Sequence, residues 1–531
     1  MSRMNIDYSL YLVTGRDLLP SGKDYFESLE ESIQGGVTVV QIREKVAETG
    51  EFLSIAQRTK EICYKYNIPV IVNDRLDIAL AIGADGVHLG QADMPLPIAR
   101  SLLPSGTIIG ISVNTPEEAL RAKEQGADYV GIGAIWGTKS KQLTSPILSV
   151  RGVGPILEVL AETNIKTVAI GGIKSNNALR ALHGAVAPSN YRALDGIAVI
   201  SDIVASNQPR EAAAKLASIV KDFKTLRTPP IFSFQSDSIS NLTSRSLIQE
   251  AANFLDVIRK NTPLVHQITN NVVTTQSANA TLALGASPIM SNAPEEMEEL
   301  SRVIGALLVN IGTIANKDGM LAAGKWANIN RKPIVLDPVA VGATSHRRNA
   351  TNDLLNEWQP SVIKGNAGEI GALAKSAEAK SRGVDSVGSG FAEPHKVVQQ
   401  LARTERCIVL LTGETDWISD GQITINCQNG HQFLADITGS GCMLGTCVAT
   451  FCAAASISAK SEYSASSPYL VHGNMFTATL GGLLALTVAS EIAGERPDVK
   501  GTGTFLSALI DTLYHLTPAQ IMERAKVEIV I

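Results

Sequence analysis

TLRTPPIFSFQSDSISNLTSR, Thr225 to Arg245, carries no helical or strand period long enough to build a packed element. Pro229 and Pro230 can neither donate to a sheet nor continue a helix, and the Ser, Thr and Asn residues that follow offer the backbone competing hydrogen bonds. The stretch reads as a linker between two domains. The alternative is a long surface loop within one domain, but structureless loops beyond roughly 12 to 15 residues are uncommon in compact domains. At 531 residues the chain also exceeds what one hydrophobic core usually supports. The predicted division is therefore a domain over 1–224, a linker over 225–245 and a second domain over 246–531.

Composition narrows the class on both sides of the linker. With 45% hydrophobic, 18% charged and 5% aromatic residues, the chain fits α/β enzymes better than disordered, fibrous or disulfide-rich proteins. The net charge of -5 and the lack of a basic run interleaved with aromatics predict no nucleic-acid partner. Six cysteines without a CxxC pair argue for a reducing compartment and against a zinc site. The start, MSRMNIDYSLYLV, holds no long apolar core or amphipathic presequence, so a cytoplasmic location is expected. Two uncharged stretches, Ile437 to Ala459 and Val471 to Ser490, are interrupted by Gly, Ser, Thr, Asn or His. They read as helices of a protein core, with no membrane partner.

In the first half, short β-branched runs alternate with amphipathic helices. Strands are predicted at Tyr8–Val13, Val37–Arg43, Pro69–Asn73, Gly86–Leu89, Ile108–Ser112, Tyr129–Gly133, Thr167–Ile170 and Gly196–Val199. Tyr25–Gln34, Gly50–Lys65 and Pro116–Gln125 are among the helices between them. This repeat predicts a (β/α)8 TIM barrel, with a doubly wound open sheet as the alternative. A barrel places its chemistry at the C-terminal ends of its strands, and the polar residues fall there. Gln41, Arg43 and Lys45 follow the second strand, Asn73 and Asp74 the third, His88, Gln91 and Asp93 the fourth, and Ser112 the fifth. Thr138, Lys139, Ser140 and Lys141 follow the sixth, Gly171 and Gly172 the seventh, and Ile200 and Ser201 the eighth.

Asp74 and Asp93 are hard oxygen ligands suited to Mg²⁺, which usually arrives with substrate phosphates. Arg43, Lys45, Lys141, the Thr138 and Ser140 hydroxyls and the amides around Gly171 and Gly172 suit phosphate groups. Those residues point to one diphosphate substrate or to two phosphorylated ones.

QIREK at Gln41–Lys45, ND at Asn73–Asp74, DGVHLGQAD at Asp85–Asp93, GIS at Gly110–Ser112, GIGAIWGTKSK at Gly131–Lys141, AIGGI and VIS together resemble thiamine phosphate synthase. The resemblance implies that diphosphate leaves a hydroxymethylpyrimidine diphosphate and that a thiazole phosphate nitrogen attacks the resulting cation. It further implies that Gln41, Arg43, Lys45 and Asn73 hold the diphosphate, and that Asp74 and Asp93 bind Mg²⁺. Ser112 would orient the pyrimidine and Lys141 would stabilise the departing diphosphate. Thr138, Ser140, Gly172, Ile200 and Ser201 would receive the thiazole phosphate. The chain departs from the family at Ala134, Trp136 and Gly137, where prolines flanking an aromatic are usual, and in an extra loop from His183 to Asp195. Losing proline predicts a less pre-set phosphate loop.

In the second half, a helix over Ser246–Asn261 precedes strands at Pro263–Ile268, Ala306–Asn310, Pro333–Leu336, Val362–Lys364 and Cys407–Thr412. This is an open, largely parallel α/β sheet pattern, and ligands are expected beyond the carboxyl ends of the strands. Asp436-Ile-Thr-Gly-Ser-Gly-Cys442 leads into a long apolar helix, and such a turn offers free N–H groups to an anion. Asp337 and Glu369 are candidate Mg²⁺ carboxylates. A thiol at a helix N-terminus tends towards a lowered pKa, which would suit Cys442 as base or nucleophile, although a small buried filler is the alternative. Cys407, Cys427, Cys447 and Cys452 read as fillers, and His266, His346 and His472 as hydrogen-bonded structural or surface residues.

HQITNNVVTTQSANATLALGASPIMSNAPEEMEEL from His266, then NIGT, LDPVAVGAT, KGNAGEI, LTGETD and DITGSGC, are similar to hydroxyethylthiazole kinase, a ribokinase-like family. The implied reaction moves the γ-phosphate of ATP, the co-substrate, to the hydroxyl of 4-methyl-5-(2-hydroxyethyl)thiazole. Asp337 and Glu369 would serve the metal, Lys364 and Thr412 the ATP phosphates, Gly439, Ser440 and Gly441 the anion hole, and Asn270 and Met290 the thiazole. Cys442 occupies the place of the ribokinase-type catalytic Asp. Lys364 stands where arginine is expected, and the insertion Lys375–Gly390 reads as a surface loop. That family also implies a homo-oligomer, a trimer or a multiple of one.

The product implied for the second half is the acceptor implied for the first. The whole chain resembles the fungal type of bifunctional thiamine biosynthesis enzyme, with Mg²⁺ at both sites. The alternative is that one half is non-catalytic and acts as ligand sensor or scaffold.

Overall fold

A computed structural model describes residues 6–138, 145–226, 242–376, 378, 380–382, 385–387, 390–459 and 467–530. The described residues divide into two compact units, the first over 6–226 with Ser467 and Pro468, the second over the rest. Most of the expected linker, 227–241, lies outside the described residues, but its last turn differs from expectation. The helix starts at Ser244, because the Thr243 hydroxyl accepts from Ser246 N–H and Ser246 returns a bond in a capping box.

In the first unit β1 (Leu10–Val13), β2 (Val39–Ile42), β3 (Val70–Asn73) and β4 (Gly86–Leu89) are followed by β5 (Ile108–Val113), β6 (Tyr129–Ile132), β7 (Lys166–Ile170) and β8 (Gly196–Val199). They close as a parallel barrel in chain order, β8 pairing with β1. Two apolar clusters support it. Leu10, Leu12, Val40 and Ile42 pack outward against the helices, while Tyr8, Tyr11, Val13, Ile71, Tyr129 and Val168 fill the interior. The alternation follows from the two-residue period of a strand. Gly110 makes room for the largest interior side chain, since a Cβ there would fall inside the Tyr129 ring.

The extra loop after the helix Ala178–Gly184 folds back on itself through a Val186–Ala193 bridge. Arg192 donates to the Thr163 and Ile165 carbonyls at 3.2 and 2.5 Å, so the loop is tied to the segment that enters β7. It sits before β8, at the barrel end opposite the polar strand termini.

The second unit has a nine-stranded sheet in the order β10-β9-β11-β12-β13-β16-β17-β18-β19. Six parallel strands, β9 (Leu264–Ile268), β10 (Ser287–Ile289), β11 (Ala306–Asn310), β12 (Ile334–Asp337), β13 (Val362–Asn366) and β16 (Ile408–Thr412), form the largely parallel part. β17 (Asp416–Ser419), β18 (Thr424–Cys427) and β19 (Val527–Ile529) extend it antiparallel. The described part of the insertion read as a surface loop forms an antiparallel ribbon, β14 (Lys380–Arg382) with β15 (Asp385–Val387).

The two uncharged stretches become the helices Ser440–Ala459 and Met475–Gly494, whose most apolar windows are 83% and 89% buried inside the protein. A helix apolar all round needs such a burial. Cys407, Cys427, Cys447 and Cys452 are buried free thiols, as fillers should be.

Replacing Gly110 by Ala should overpack the barrel interior and destabilise the first unit by roughly 1–3 kcal/mol. Urea unfolding should show a lower midpoint for that unit alone; an unchanged midpoint would contradict the packing.

Candidate functional site

In the barrel, the strand ends converge on a cavity of about 390 Å³. Of the residues read from the sequence, Gln41, Arg43, Lys45, Asn73, Asp93 and Ser112 line it, as do Thr138, Gly172, Ile200 and Ser201. Ser140 and Lys141 lie outside the described residues. Asp74 stands behind this lining, paired with the Lys45 ammonium, its backbone in the left-handed region at φ 62° and its N–H donating to the His88 carbonyl at 2.9 Å. Asp93 accepts the Gly90 N–H at 2.7 Å. Burial raises the Asp93 pKa and the neighbouring Asp74 carboxyl raises it further. Two carboxyls crowded in this way are a fit for a hard cation, which would relieve their repulsion.

The loop after β6 is held despite lacking the usual prolines. Ile135 N–H donates to the Ile170 carbonyl and Trp136 N–H to the Gly171 carbonyl, both at 3.0 Å. The Arg180 guanidinium lies 5.6 Å from the centre of the Trp136 ring. Backbone pairing and stacking thus supply the order that proline was expected to supply, up to residue 138.

Along the cavity lining runs a polar chain that the sequence reading missed in its most buried members, Tyr11 and Tyr129. Gln41 Nε2 donates to Tyr11 Oη at 2.9 Å, and Tyr11 Oη is 2.7 Å from Tyr129 Oη. Tyr129 Oη is 2.9 Å from His88 Nδ1, and His88 Nε2 is 2.9 Å from Ser112 Oγ. The available signal was a glycine inside each of two strands. Gly110 makes room for Tyr129, while a Cβ at Gly131 would press on the His88 ring at 3.2 Å.

In the second unit, β10 and β11 flank β9 on opposite sides, which makes a topological switch point at the carboxyl end of β9. Asn270 sits there. Its amide donates to Asn310 Oδ1 at 3.0 Å and to Cys442 Sγ at 3.4 Å. The Asn310 amide donates in turn to Asp337 Oδ2 at 2.8 Å and to Cys442 Sγ at 3.3 Å. Lys364 Nζ lies 3.2 Å from Asp337 Oδ1, with their side chains 5% and 0% exposed.

Burial works against the Lys364 charge, but Asp337 and Glu369 outweigh it and hold the ammonium protonated. Burial pushes Glu369 up to about 7, with Lys364 opposing and Asp337 adding to the rise. Both Glu369 oxygens are pinned, accepting Ala340 and Asn366 N–H groups at 2.9 Å. Cys442 departs from expectation: burial raises its pKa and Asp337 adds to the rise, outweighing Lys364 and the Asn310 and Asn270 hydrogen bonds.

Gly439, at φ 84°, opens the helix Ser440–Ala459, and a Cβ on Gly441 would lie 3.2 Å from Lys364 Nζ. The expected anion turn and Lys364 therefore meet. Thr412 ends β16 in register with Asn366, and Met290 follows β10 at the switch point. Among the described residues no group of three or more His, Cys, Asp or Glu is placed to hold a metal ion. The barrel instead offers the crowded Asp74 and Asp93 carboxyls, which suit a cation that brings phosphate oxygens with it, while in the second unit Asp337 and Glu369 face the Lys364 ammonium. His266 Nε2 is 2.8 Å from the Ser291 carbonyl, His472 Nε2 is 3.3 Å from Arg331 Nη1, and His346 is exposed, so all three are structural or surface residues.

The sequence reading assigned no role to Asp416. It is 6% exposed, accepts the Gly413 N–H at 3.0 Å and so closes the turn after Thr412.

A barrel whose mouth carries Arg43 and Lys45, joined to an open sheet with a helix N-terminus facing Lys364, defines a two-unit enzyme of phosphate chemistry. The model of the thiamine monophosphate synthase family matches residues 10–203, and that of the hydroxyethylthiazole kinase family matches residues 255–519. The chain is 39% identical to a probable thiamine biosynthetic bifunctional enzyme of Schizosaccharomyces pombe, over 99% of each chain. It is 36% identical to the thiamine biosynthetic bifunctional enzyme of Saccharomyces cerevisiae, over 97% of this chain and 96% of that one. A thiamine-phosphate synthase of Clostridium novyi is 44% identical over its whole length and 41% of this chain. The chain belongs to the family of thiamine biosynthetic bifunctional enzymes.

Burial pushes the Asp416 carboxyl from 3.8 up to about 7, with the Gly413 N–H and Lys364 opposing. The stability it contributes is full below pH 3.8 and is lost as pH rises through about 7. Asp416→Asn keeps the acceptor oxygen but does not titrate. Between about pH 5 and pH 8 the variant should gain on the wild type by on the order of 2 kcal/mol in urea unfolding of the second unit. A pH-independent difference would contradict the assignment.

Proposed function

We infer that the second unit phosphorylates 4-methyl-5-(2-hydroxyethyl)thiazole with ATP, and that the first joins the thiazole phosphate to hydroxymethylpyrimidine diphosphate, giving thiamine phosphate and diphosphate. The observation that carries the reading is the meeting of Gln41, Arg43, Lys45, Asn73, Asp93 and Ser112 on one cavity, in a chain of this family.

In the barrel, Arg43 and Lys45 take the charge of the departing diphosphate, with Gln41 and Asn73 completing its seat and Lys141 proposed as a further cation. The C–O bond to diphosphate breaks, and the thiazole nitrogen forms the new C–N bond to the pyrimidinyl-methyl carbon. Ser112 orients the pyrimidine. Thr138, Ser140, Gly172, Ile200 and Ser201 hold the thiazole phosphate opposite.

In the second unit, Lys364, Thr412 and the Gly439–Gly441 turn hold the ATP phosphates, and Asn270 and Met290 the thiazole. Asp74 and Asp93 in the barrel and Asp337 and Glu369 in the kinase would hold Mg²⁺, which would supply neutralisation of phosphate charge. Phosphoryl transfer leaves little covalent chemistry for the protein; with burial raising its pKa, Cys442 rests as a thiol that positions the hydroxyl, whose proton passes to an oxygen of the transferred phosphoryl group as the bond to ADP breaks.

The kinase family likeness supports a homo-oligomer, a trimer or a multiple of one, and the composition supports a cytoplasmic location. Light scattering should give three times 56.3 kDa or a multiple of it. A monomer at micromolar concentration would contradict this.

The reading is tested by mass spectrometry of products from purified chain with Mg²⁺, ATP, hydroxyethylthiazole and hydroxymethylpyrimidine diphosphate, each omitted in turn. Thiamine phosphate should require all of them. Thiazole phosphate accumulating alone would make the barrel a sensor or scaffold. Cys442→Ser should reduce kinase kcat by less than roughly 10²-fold, the lower bound for a general base, and leave the synthase step unchanged. A larger loss would make Cys442 the base.

A further inference from the structure

The polar chain along the barrel cavity has a direction, and the direction decides what Ser112 can recognise. Gln41 supplies an N–H to Tyr11 Oη. The proton of Tyr11 therefore points to its other partner, Tyr129 Oη, 2.7 Å away. Tyr129 accepts that proton and has its own to give, and it gives it to His88 Nδ1 at 2.9 Å. Both phenols keep their protons: burial raises each pKa, and the Tyr11 charge and hydrogen bond raise the Tyr129 value further. With Nδ1 accepting, the imidazole carries its hydrogen on Nε2 and donates it to Ser112 Oγ at 2.9 Å. The Ser112 oxygen is then an acceptor on its protein side, and its own hydrogen is directed into the cavity that it lines.

We propose that Tyr129, with Tyr11 behind it, is a positioning residue that fixes the His88 tautomer and so makes Ser112 a hydrogen-bond donor to a lone pair on the ligand. The chemical consequence is selectivity. The subsite takes a heteroaromatic ring presenting an unprotonated nitrogen at Ser112, and it disfavours one presenting C–H there, because the buried donor would be left without a partner. Fixing the relay at 2.7–2.9 Å through buried rings prepays the orientation of the hydroxyl before the ligand arrives. The identity of the ligand rests on the synthase reading above; the proton arrangement does not.

Two measurements on the full chain test the proposal. In ligand-free protein labelled with ¹⁵N-histidine, long-range ¹H–¹⁵N correlation should show His88, assigned by its loss in His88→Asn, in the Nε2–H form. Tyr129→Phe should shift it away from that form, while Tyr11→Phe, which leaves the Tyr129 donor in place, should not. An Nδ1–H ring in the wild type, or a Tyr129→Phe spectrum matching the wild type, would overturn the proposal. The wild-type spectrum decides even if a variant fails to fold.

The second measurement uses hydroxymethylpyrimidine diphosphate and its two pyridine analogues, each with one ring nitrogen replaced by CH. The wild type should discriminate against one of them, and Tyr129→Phe should lower kcat/KM for the natural substrate by about tenfold and remove that discrimination. Tyr11→Phe should cost only about two- to threefold. Equal losses in both variants, with discrimination kept, would reduce the tyrosines to packing. Absence of any thiamine phosphate from the wild type would count against the synthase reading and leave the spectroscopic result standing.

Discussion

Parallel pairing constrains everything else in this chain. When every strand runs the same way, all carboxyl ends fall on one edge, and the loops that leave them must share that edge. In the barrel this gathers residues from Gln41 to Ser201 around one mouth. In the second unit it sets Asn270, Asn310, Asp337, Lys364 and Thr412 along one rim, because β9, β11, β12, β13 and β16 are parallel neighbours. The register is close: Asn310 lies opposite Asp337, and Asn366 opposite Thr412. The antiparallel strands β17 to β19 extend the sheet away from this rim.

The two sites manage buried charge in different ways. The kinase rim buries an ammonium with two carboxyls, which is costly unless each group has partners. It has them: Lys364 and the Asn310 amide serve Asp337, and two backbone N–H groups serve Glu369. Lys364 replaces the expected arginine, and a compact ammonium fits beside Gly441, where an added Cβ would lie 3.2 Å from Nζ. The barrel keeps its Lys45–Asp74 pair partly open to solvent and buries neutral polar groups instead. Its interior chain of phenol, phenol and imidazole links Gln41 to Ser112.

Most of the architecture was legible in the sequence. Eight β-branched runs spaced by amphipathic helices give the barrel its strands, and polar residues cluster where those runs end. Motif residues such as Gln41, Lys45 and Asp93 could be placed because one strand and its following loop suffice to locate each. Tyr11 and Tyr129 could not, since they meet across 118 residues of sequence and look like ordinary core aromatics. The role of Asp416 was hidden for a related reason: only burial at the turn after Thr412 distinguishes it from a surface acid. The Cys442 thiol shows where a local rule fails. A position at a helix N-terminus suggests a lowered thiol pKa, but here desolvation and the facing Asp337 raise it. The start of the helix at Ser244 was masked by Ser and Thr, which serve linkers and helix caps alike.

The central claim is that each unit completes one of two consecutive reactions. A linker of this kind raises the effective concentration of tethered groups but not of a released product, so the intermediate should be free to leave one molecule and enter another. The direct measurement mixes two variants, Lys364→Met with a disabled kinase and Arg43→Ala with a disabled synthase, and follows thiamine phosphate formed from hydroxyethylthiazole, ATP and hydroxymethylpyrimidine diphosphate. Each variant alone should make none, and the mixture should make it. A mixture that stays inactive while each variant retains its remaining half-reaction, or a single variant that makes thiamine phosphate unaided, would contradict the division of labour.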